Sequence, residues 1–175
     1  MDFHRIFQKK YTLEELNIFR FLSKIPAFEL LKPDEMELFL PYLHERLFQK
    51  GEVIFFRTDP AKAFYVIKNG KVQINIDINN EFEPLRTFKT GESFGASGFL
   101  ANDHRIYNAI ADAEDCMIYV LPQVNALEIM EANPKICAKI MTSVSNIFSR
   151  QMTNIFRAYK ESPGIFVLGE AYTEE

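Results

Sequence analysis

The chain has no tryptophan and only two cysteines, Cys116 and Cys137, among its 175 residues. The cysteines lie far apart and form no CxxC pair. That excludes a disulfide framework and a zinc ribbon, and leaves two buried thiols. No apolar run approaches the roughly 20 residues that cross a bilayer, so no membrane association is expected. The first 16 residues, MDFHRIFQKKYTLEEL, lack the apolar core and small-residue cleavage site of a secretory signal, and a cytoplasmic location is expected. Positive charge is in deficit. Against 24 Asp and Glu stand 20 Lys and Arg, a net charge of −4. A protein that grips phosphate backbones is normally basic, so no contact with DNA is expected. His4, His44 and His104 show no paired spacing, which argues against a metal site. The carboxylates form no acid/base motif and Ser97 lies in no GxSxG elbow, so an enzyme is not expected. Internal repeats and low-complexity segments are also missing.

Phenylalanine is present in excess, with 17 Phe beside 7 Tyr. An aromatic-rich core is the plain explanation, although aromatic rings also serve partner surfaces. Hydrophobic residues make up 47% and charged residues 25%, an ordinary globular balance that excludes wholesale disorder. The length suits one domain with helical additions.

Three stretches follow one another. Residues 1–45 read as an N-terminal helical segment. Thr12 with Glu15 makes a capping box, and Leu13, Leu16, Ile18 or Phe19, and Leu22 recur at helical spacing. After Pro26, a second helix is expected from Pro33, with Asp34 and Glu35 at its positive end and Met36, Leu38, Phe39 and Leu40 buried. Residues 46–122 read as short strands. Val53–Phe56 and Phe64–Ile67 are apolar runs, and Asn69-Gly70 is a strong hairpin signal. Val72, Ile74, Ile76 and Ile78 alternate with polar residues, the mark of a strand with one buried face. Asn79-Asn80-Glu81 turns the chain again. Leu85–Phe88, Tyr107–Ala111 and Met117–Leu121 complete the series. Residues 123–161 return to helix, first with Val124, Leu127, Ile129 and Met130, then with Asn133-Pro134 as the cap of a long second helix. Ser162-Pro163-Gly164 is read as its end, and 162–175 as a tail. The fold class is mainly β with flanking helices.

Residues 91–105, GESFGASGFLANDHR, carry the candidate chemistry. Small residues let backbone N–H groups approach a ligand, and Gly91, Gly95 and Gly98 keep tight turns available. Arg105 can offer a forked pair of hydrogen bonds to a phosphate. A tight turn with a surface arginine is the bland alternative.

Several pieces in order resemble the cyclic nucleotide-binding domains of catabolite-activator-like regulators, kinase regulatory subunits and gated channels. They are Phe21–Phe28 as the leading helix, Lys50–Ile54 and Phe64–Val72 as early strands, and Gly91–Gly95 as the start of a phosphate-binding cassette. The resemblance spans roughly Phe19 to Tyr159 and implies a jelly-roll β-barrel with a long C-terminal helix. It implies no cofactor beyond a cyclic nucleotide ligand. In the family, the cassette glutamate accepts the ribose 2′-hydroxyl and the arginine pairs the cyclic phosphate. This chain keeps Phe94, Gly95 and Arg105, but Ala96 stands where the glutamate belongs. Ser97 and Asn108 are the candidates to replace it. Ile106 and Tyr107 follow Arg105 where the family prefers small residues, and both are expected to fill the pocket. Thr58 replaces a usual turn glycine.

The family often dimerises through its C-terminal helix. Here Cys137, Met141, Val144, Phe148 and Ile155 form an apolar stripe. It is either a seam on the chain's own barrel or a dimer coiled coil. The helix spans about seven turns, longer than one small barrel covers, which favours the dimer. The expected function is a non-enzymatic regulatory or scaffold module with a degenerate ligand site, working as a homodimer with a protein partner the sequence does not name. The alternative is a nucleotide sensor that signals by moving the C-terminal helix.

Overall fold

The structure, a computed structural model, describes residues 11–161 apart from residue 80. Helix α1 spans Leu13–Leu22, and the capping box forms as expected: the Thr12 hydroxyl takes the Glu15 N–H at 3.2 Å while Glu15 takes the Thr12 N–H at 2.7 Å. Its buried side is narrower than the periodicity suggests. Phe19 and Leu22 are buried, while Leu13 and Leu16 face outward. The second helix is also shorter. Helix α2 covers Pro33–Met36, and the chain then tightens into a 3-10 turn over Glu37–Tyr42. Met36 and Phe39 are buried, but Leu38 is exposed, because a 3-10 turn rotates successive side chains differently from an α-helix.

Eight strands follow among the described residues: β1 His44–Phe48, β2 Val53–Phe55, β3 Ala63–Asn69, β4 Lys71–Ile78, β5 Glu81–Lys89, β6 Ser93–Phe94, β7 Asn108–Ala111 and β8 Cys116–Pro122. They form two antiparallel four-stranded sheets, ordered β1-β8-β3-β6 and β2-β7-β4-β5. The two ladders are not closed into one. Phe48, Ile67 and Ile118 of the first sheet meet Phe55, Val72, Phe88 and Ala109 of the second in one core. The far side of the first sheet carries Phe64, Val66 and Leu121, which pack under the helices in a second core. Strand β3 is therefore covered on both faces. That is why its sequence, Ala63–Ile67, is continuously apolar rather than alternating.

Asn69-Gly70 does not make a hairpin. Strand β3 belongs to one sheet and β4 to the other, so this corner carries the chain between sheets. Gly70 has φ +106°, and a Cβ there would lie 2.9 Å from Cys116 Cα. A glycine is needed for the bend and the close approach, not for a two-residue turn. The true hairpin joins β4 to β5, with Ile78 opposite Glu81. The alternating face of β4 buries Val72 and Ile74, then runs past the sandwich, where Ile78 is exposed.

Helix α3 spans Gln123–Ala132 and α4 spans Pro134–Glu161; the expected stop at Ser162-Pro163-Gly164 lies outside the described residues. Asn133 closes α3 rather than opening α4 through its side chain: its Nδ2 donates to Ile129 O at 2.9 Å. Helix α4 seats Ile136, Ile140, Ser143 and Val144 on the helical core. A half-buried ion pair ties it to α2, with Lys139 Nζ on both Glu35 carboxylate oxygens. Partial burial alone would raise the Glu35 pKa, but Lys139 and the Lys32 N–H outweigh it and hold the carboxyl below its ordinary value. No helix among the described residues is long and apolar enough to cross a membrane. The rings are shared between the two cores, one around Phe28, Phe39, Phe64 and Phe99 and one around Phe55, Tyr65, Phe88 and Phe94.

Thr58 adopts the left-handed backbone that a turn glycine would accept, at φ +71°. That conformation costs a side-chain-bearing residue about 1–2 kcal/mol, against the 0.5–1 kcal/mol or so that glycine loses through extra chain entropy. Thr58→Gly is therefore expected to stabilise by roughly 0.5–1 kcal/mol, a rise of about 1–4 °C in melting temperature by calorimetric scan. A drop in stability would show that the threonine side chain is needed there.

Candidate ligand cleft

Phe94 closes β6, and Gly95 then turns with φ +73° into a short 3-10 turn over Ala96–Phe99. A Cβ at Gly95 would lie 2.8 Å from Arg105 Nη1 and 3.1 Å from Tyr65, so the guanidinium lies directly against the cassette backbone. The β2–β3 loop positions Arg105. Thr58 N–H donates to Arg105 O and Arg105 N–H donates to Asp59 O, each at 2.8 Å. Its side chain turns inward and is only 3% exposed. Nη1 donates to Gly95 O at 3.2 Å and to Ser97 Oγ at 3.1 Å, and Nη2 donates to Ala63 O. The guanidinium carbon lies 4.3 Å from the Phe55 ring centre. No carboxylate among the described residues hydrogen-bonds to or ion-pairs with the group; Asp103 acts on it only from a distance. Burial pushes the arginine below its ordinary pKa, and its Nε–H is buried without a partner. A cation held only by neutral acceptors in a low-dielectric interior is poised for an anion.

Two cavities flank this arrangement beneath α4. The outer one, about 170 Å³, is bordered by Ser97, Asp103, His104, Arg105, Ile106 and Phe148. The inner one, about 230 Å³, is bordered by Arg86, Phe88, Glu92, Phe94, Ile147, Arg150 and Asn154. Ala96, Tyr107 and Gln151 border both, so Tyr107 stands between them. The Tyr107 hydroxyl accepts the Gly95 N–H at 3.2 Å, and its ring centre lies 5.8 Å from that of Phe55. Burial raises its pKa, so it stays a neutral phenol.

Phe94, Gly95, Ala96, Ser97, Arg105 and Tyr107 come together. Ile106 does not fill the pocket. It is 73% exposed, turned to solvent at the cavity mouth while its neighbour Tyr107 turns inward. Neither candidate substitute for the missing glutamate is free. Ser97 Oγ is engaged by Arg105. Asn108 is buried elsewhere, giving its Nδ2–H to Asn75 Oδ1 at 3.0 Å and taking the Arg57 N–H at 2.8 Å. His104 is an exposed loop residue. Arg86, Arg150 and Asn154 also line the cavities without any motif to mark them in the sequence, and Gln151 is legible only as an alternative to Met152 in the apolar stripe of α4.

The expected dimer stripe is split by the structure. Val144 is 2% exposed inside the chain's own core, and Cys137, Met141 and Phe148 are half-buried against that core. Ile155 alone of the five is largely exposed, at 55%, because the second half of α4 extends past the body it packs on. Met152 joins it on the exposed side.

A family model described as the cyclic nucleotide-binding domain matches residues 45–133, half of the chain. The chain belongs to that family. The cyclic AMP receptor protein of Thermus thermophilus is 30% identical over 110 residues, covering 62% of this chain and 50% of the relative. The cAMP-dependent protein kinase regulatory subunit of Emericella nidulans is 30% identical over 94 residues, 54% of this chain and 22% of the relative. The chain thus spans half or less of the length of these relatives. The crystal structure of the Thermus thermophilus catabolite activator protein superposes with a TM-score of 0.66 at 25% identity, covering 77% of this chain and 62% of that one. These relatives are regulatory cyclic nucleotide-binding proteins, and the jelly-roll fold with its long C-terminal helix is common to them and this chain. The cassette, Gly91 to Arg105, lies inside the matched region.

Proposed function

We propose that this chain is a non-enzymatic regulatory module of the cyclic nucleotide-binding family that holds cyclic AMP poorly and acts through protein contacts as a homodimer. One observation carries the reading. Where the family's ribose-binding carboxylate belongs there is Ala96, which offers a sugar hydroxyl no acceptor. Ser97 and Asn108 are engaged elsewhere. Both Glu92 oxygens are taken, one by Arg86 Nη2 and one by the Lys89 N–H at 2.7 Å. Asp103 borders the arginine's cavity, where a carboxylate would oppose a phosphate. A hydrogen bond to a charged acceptor contributes about 1.5–3 kcal/mol, so its loss weakens binding roughly ten- to hundredfold. Calorimetry with cyclic AMP is expected to give a high-micromolar dissociation constant or no heat. Low-micromolar binding would sink the reading.

A second reading, a sensor for a different anion that signals by moving α4, is favoured by Arg105. That guanidinium is buried beside a cavity whose other wall includes Phe148 and Gln151 of α4. A ligand there would shift the helix only through differential affinity for its two positions.

The dimer part of the proposal uses the side of α4 that the chain's own core leaves partly or wholly uncovered. Met141, Phe148 and Ile155 recur at seven-residue steps, with Met152 one turn from each of the last two. The double change Met152→Glu and Ile155→Glu is expected to turn a dimer into a folded monomer by light scattering, with secondary structure unchanged. A wild-type chain that is monomeric at high concentration would remove the dimer from the proposal. The expectation against DNA gains no support from the comparisons, since two structural relatives are domains of transcriptional regulators.

A further inference from the structure

The second sheet has an outer face that the cleft does not use. Ile74 and its cross-strand partner Ala109 point into the sandwich core, so Asn75 and its partner Asn108, each one position away, point to the other side. Asp77 lies two residues past Asn75 and stands opposite Phe82 of β5, on the same face. There a hollow of about 360 Å³ opens between Phe56 and Phe82. Its floor is fixed. Arg57 Nε and Nη2 donate to the two Asp77 oxygens at 2.8 and 2.9 Å, and the buried Asn108 amide takes the Arg57 N–H and donates to Asn75. The rings above that floor are uncovered, Phe56 at 52% exposure and Phe82 at 62%. A second hollow of about 340 Å³ adjoins at Phe82, with Ile78, Glu81 and Glu83 on its border. Among the described residues, Arg57 is the one cation bordering either hollow, and Asp77 holds it. Two exposed rings beside surplus carboxylates fit a basic segment with apolar anchors.

The chain carries such a segment. Residues 1–10, MDFHRIFQKK, set Arg5, Lys9 and Lys10 against Asp2, and include Phe3, Ile6 and Phe7. We infer that residues 1–10 of a second copy dock on this outer face, with their phenylalanine rings beside Phe56 and Phe82 and their cations at Glu81 and Glu83. The same chain does not reach. Tyr11 packs on Phe19 in the helical core, beyond the first sheet. From there to the outer face of the second sheet is on the order of 20 Å, because the two sheets are about 10 Å apart and each carries an outer layer of side chains. Phe7 is four residues from Tyr11, a fully extended reach of about 14 Å. The contact involves neither the cassette nor the apolar stripe of α4, so it stands apart from the reading of the cleft.

The test is fluorescence anisotropy with a labelled synthetic peptide of residues 1–10 and the full chain. Saturable binding is expected, tighter at low salt than at high salt because the charges are exposed. Phe82→Ser and Phe56→Ser are each expected to weaken it about tenfold, the scale of a lost aromatic anchor. Glu81→Gln with Glu83→Gln is expected to remove most of the salt dependence. All four side chains are exposed, so the melting temperatures should stay at the wild-type value. Diluting the chain is expected to open more of the hollow to the peptide, since a second copy's segment leaves on dilution. No saturable binding, equal binding of a peptide with the same residues in scrambled order, or binding that survives both Phe82→Ser and Phe56→Ser overturns the inference. A chain that refuses the peptide at every dilution, yet accepts it once Phe3 and Phe7 are changed to serine, places its own segment in the hollow and overturns the assignment to a second copy.

Discussion

Replacing Ala96 with glutamate is expected to strengthen cyclic AMP binding by ten- to hundredfold. The change restores a charged acceptor where the family's ribose carboxylate stands, an interaction of about 1.5–3 kcal/mol. Space for it exists, because Ala96 borders both cavities. Arg105, across the cassette, supplies the positive field that keeps a buried carboxylate ionised. Tyr107 limits the gain. Its hydroxyl holds the Gly95 N–H, a backbone donor at the head of the cassette, and its ring packs between the cavities. The double variant Ala96→Glu, Tyr107→Ala should therefore bind more tightly than Ala96→Glu alone. Titration calorimetry on the wild type and both variants reads the series directly. If neither variant binds, the concavity around Gly95 is too small for a nucleotide in any form, and partner contacts alone remain as the cleft's use.

Val144→Glu is expected to unfold the chain rather than split a dimer. Val144 is 2% exposed and packs in the helical core with Ile136 and Ile140. A carboxylate there is buried without a partner and displaces apolar contacts. The loss should exceed about 4 kcal/mol, a size confined to buried charges and core disruption. Against a typical domain stability of about 5–15 kcal/mol, that removes most of the margin. Ile155→Glu, half a helix away at an exposed position, should change thermal stability by no more than about 0.5 kcal/mol if the chain is monomeric. Circular dichroism melts of the two variants side by side make the contrast. A folded Val144→Glu protein would show that α4 does not sit on this core.

Much of the cleft was legible in one dimension. Gly95, Ala96 and Arg105 are placed together by the resemblance of residues 91–105 to the family's cassette; the loop's small residues and arginine alone leave a tight turn with a surface arginine equally open. The missing carboxylate is visible only as a departure from the family's cassette, at Ala96. Ile106 and Tyr107 could not be told apart. They are adjacent, both are large, and only the bend leading into β7 sends one to solvent and the other into the cleft. The far wall was out of reach for a different reason. Arg86 and Arg150 are 64 positions apart in the chain and share a cavity only because the fold brings α4 beside the end of β5.

What the sequence by itself determined was the order of elements, the capped start of α1, the mainly β centre and the family of the fold. The first three depend on local chemistry, and the family on several short motifs in their order along the chain. The tertiary structure decided which sheet each strand joins. Asn69-Gly70 reads locally as a hairpin, yet the packing of two sheets makes it a corner, with Cys116 pressed against the glycine. It also decided how the apolar stripe of α4 is divided. A helical repeat states that one face is hydrophobic, and burial on the chain's own core claims Val144 while leaving Ile155 exposed, because the helix is longer than the body beneath it.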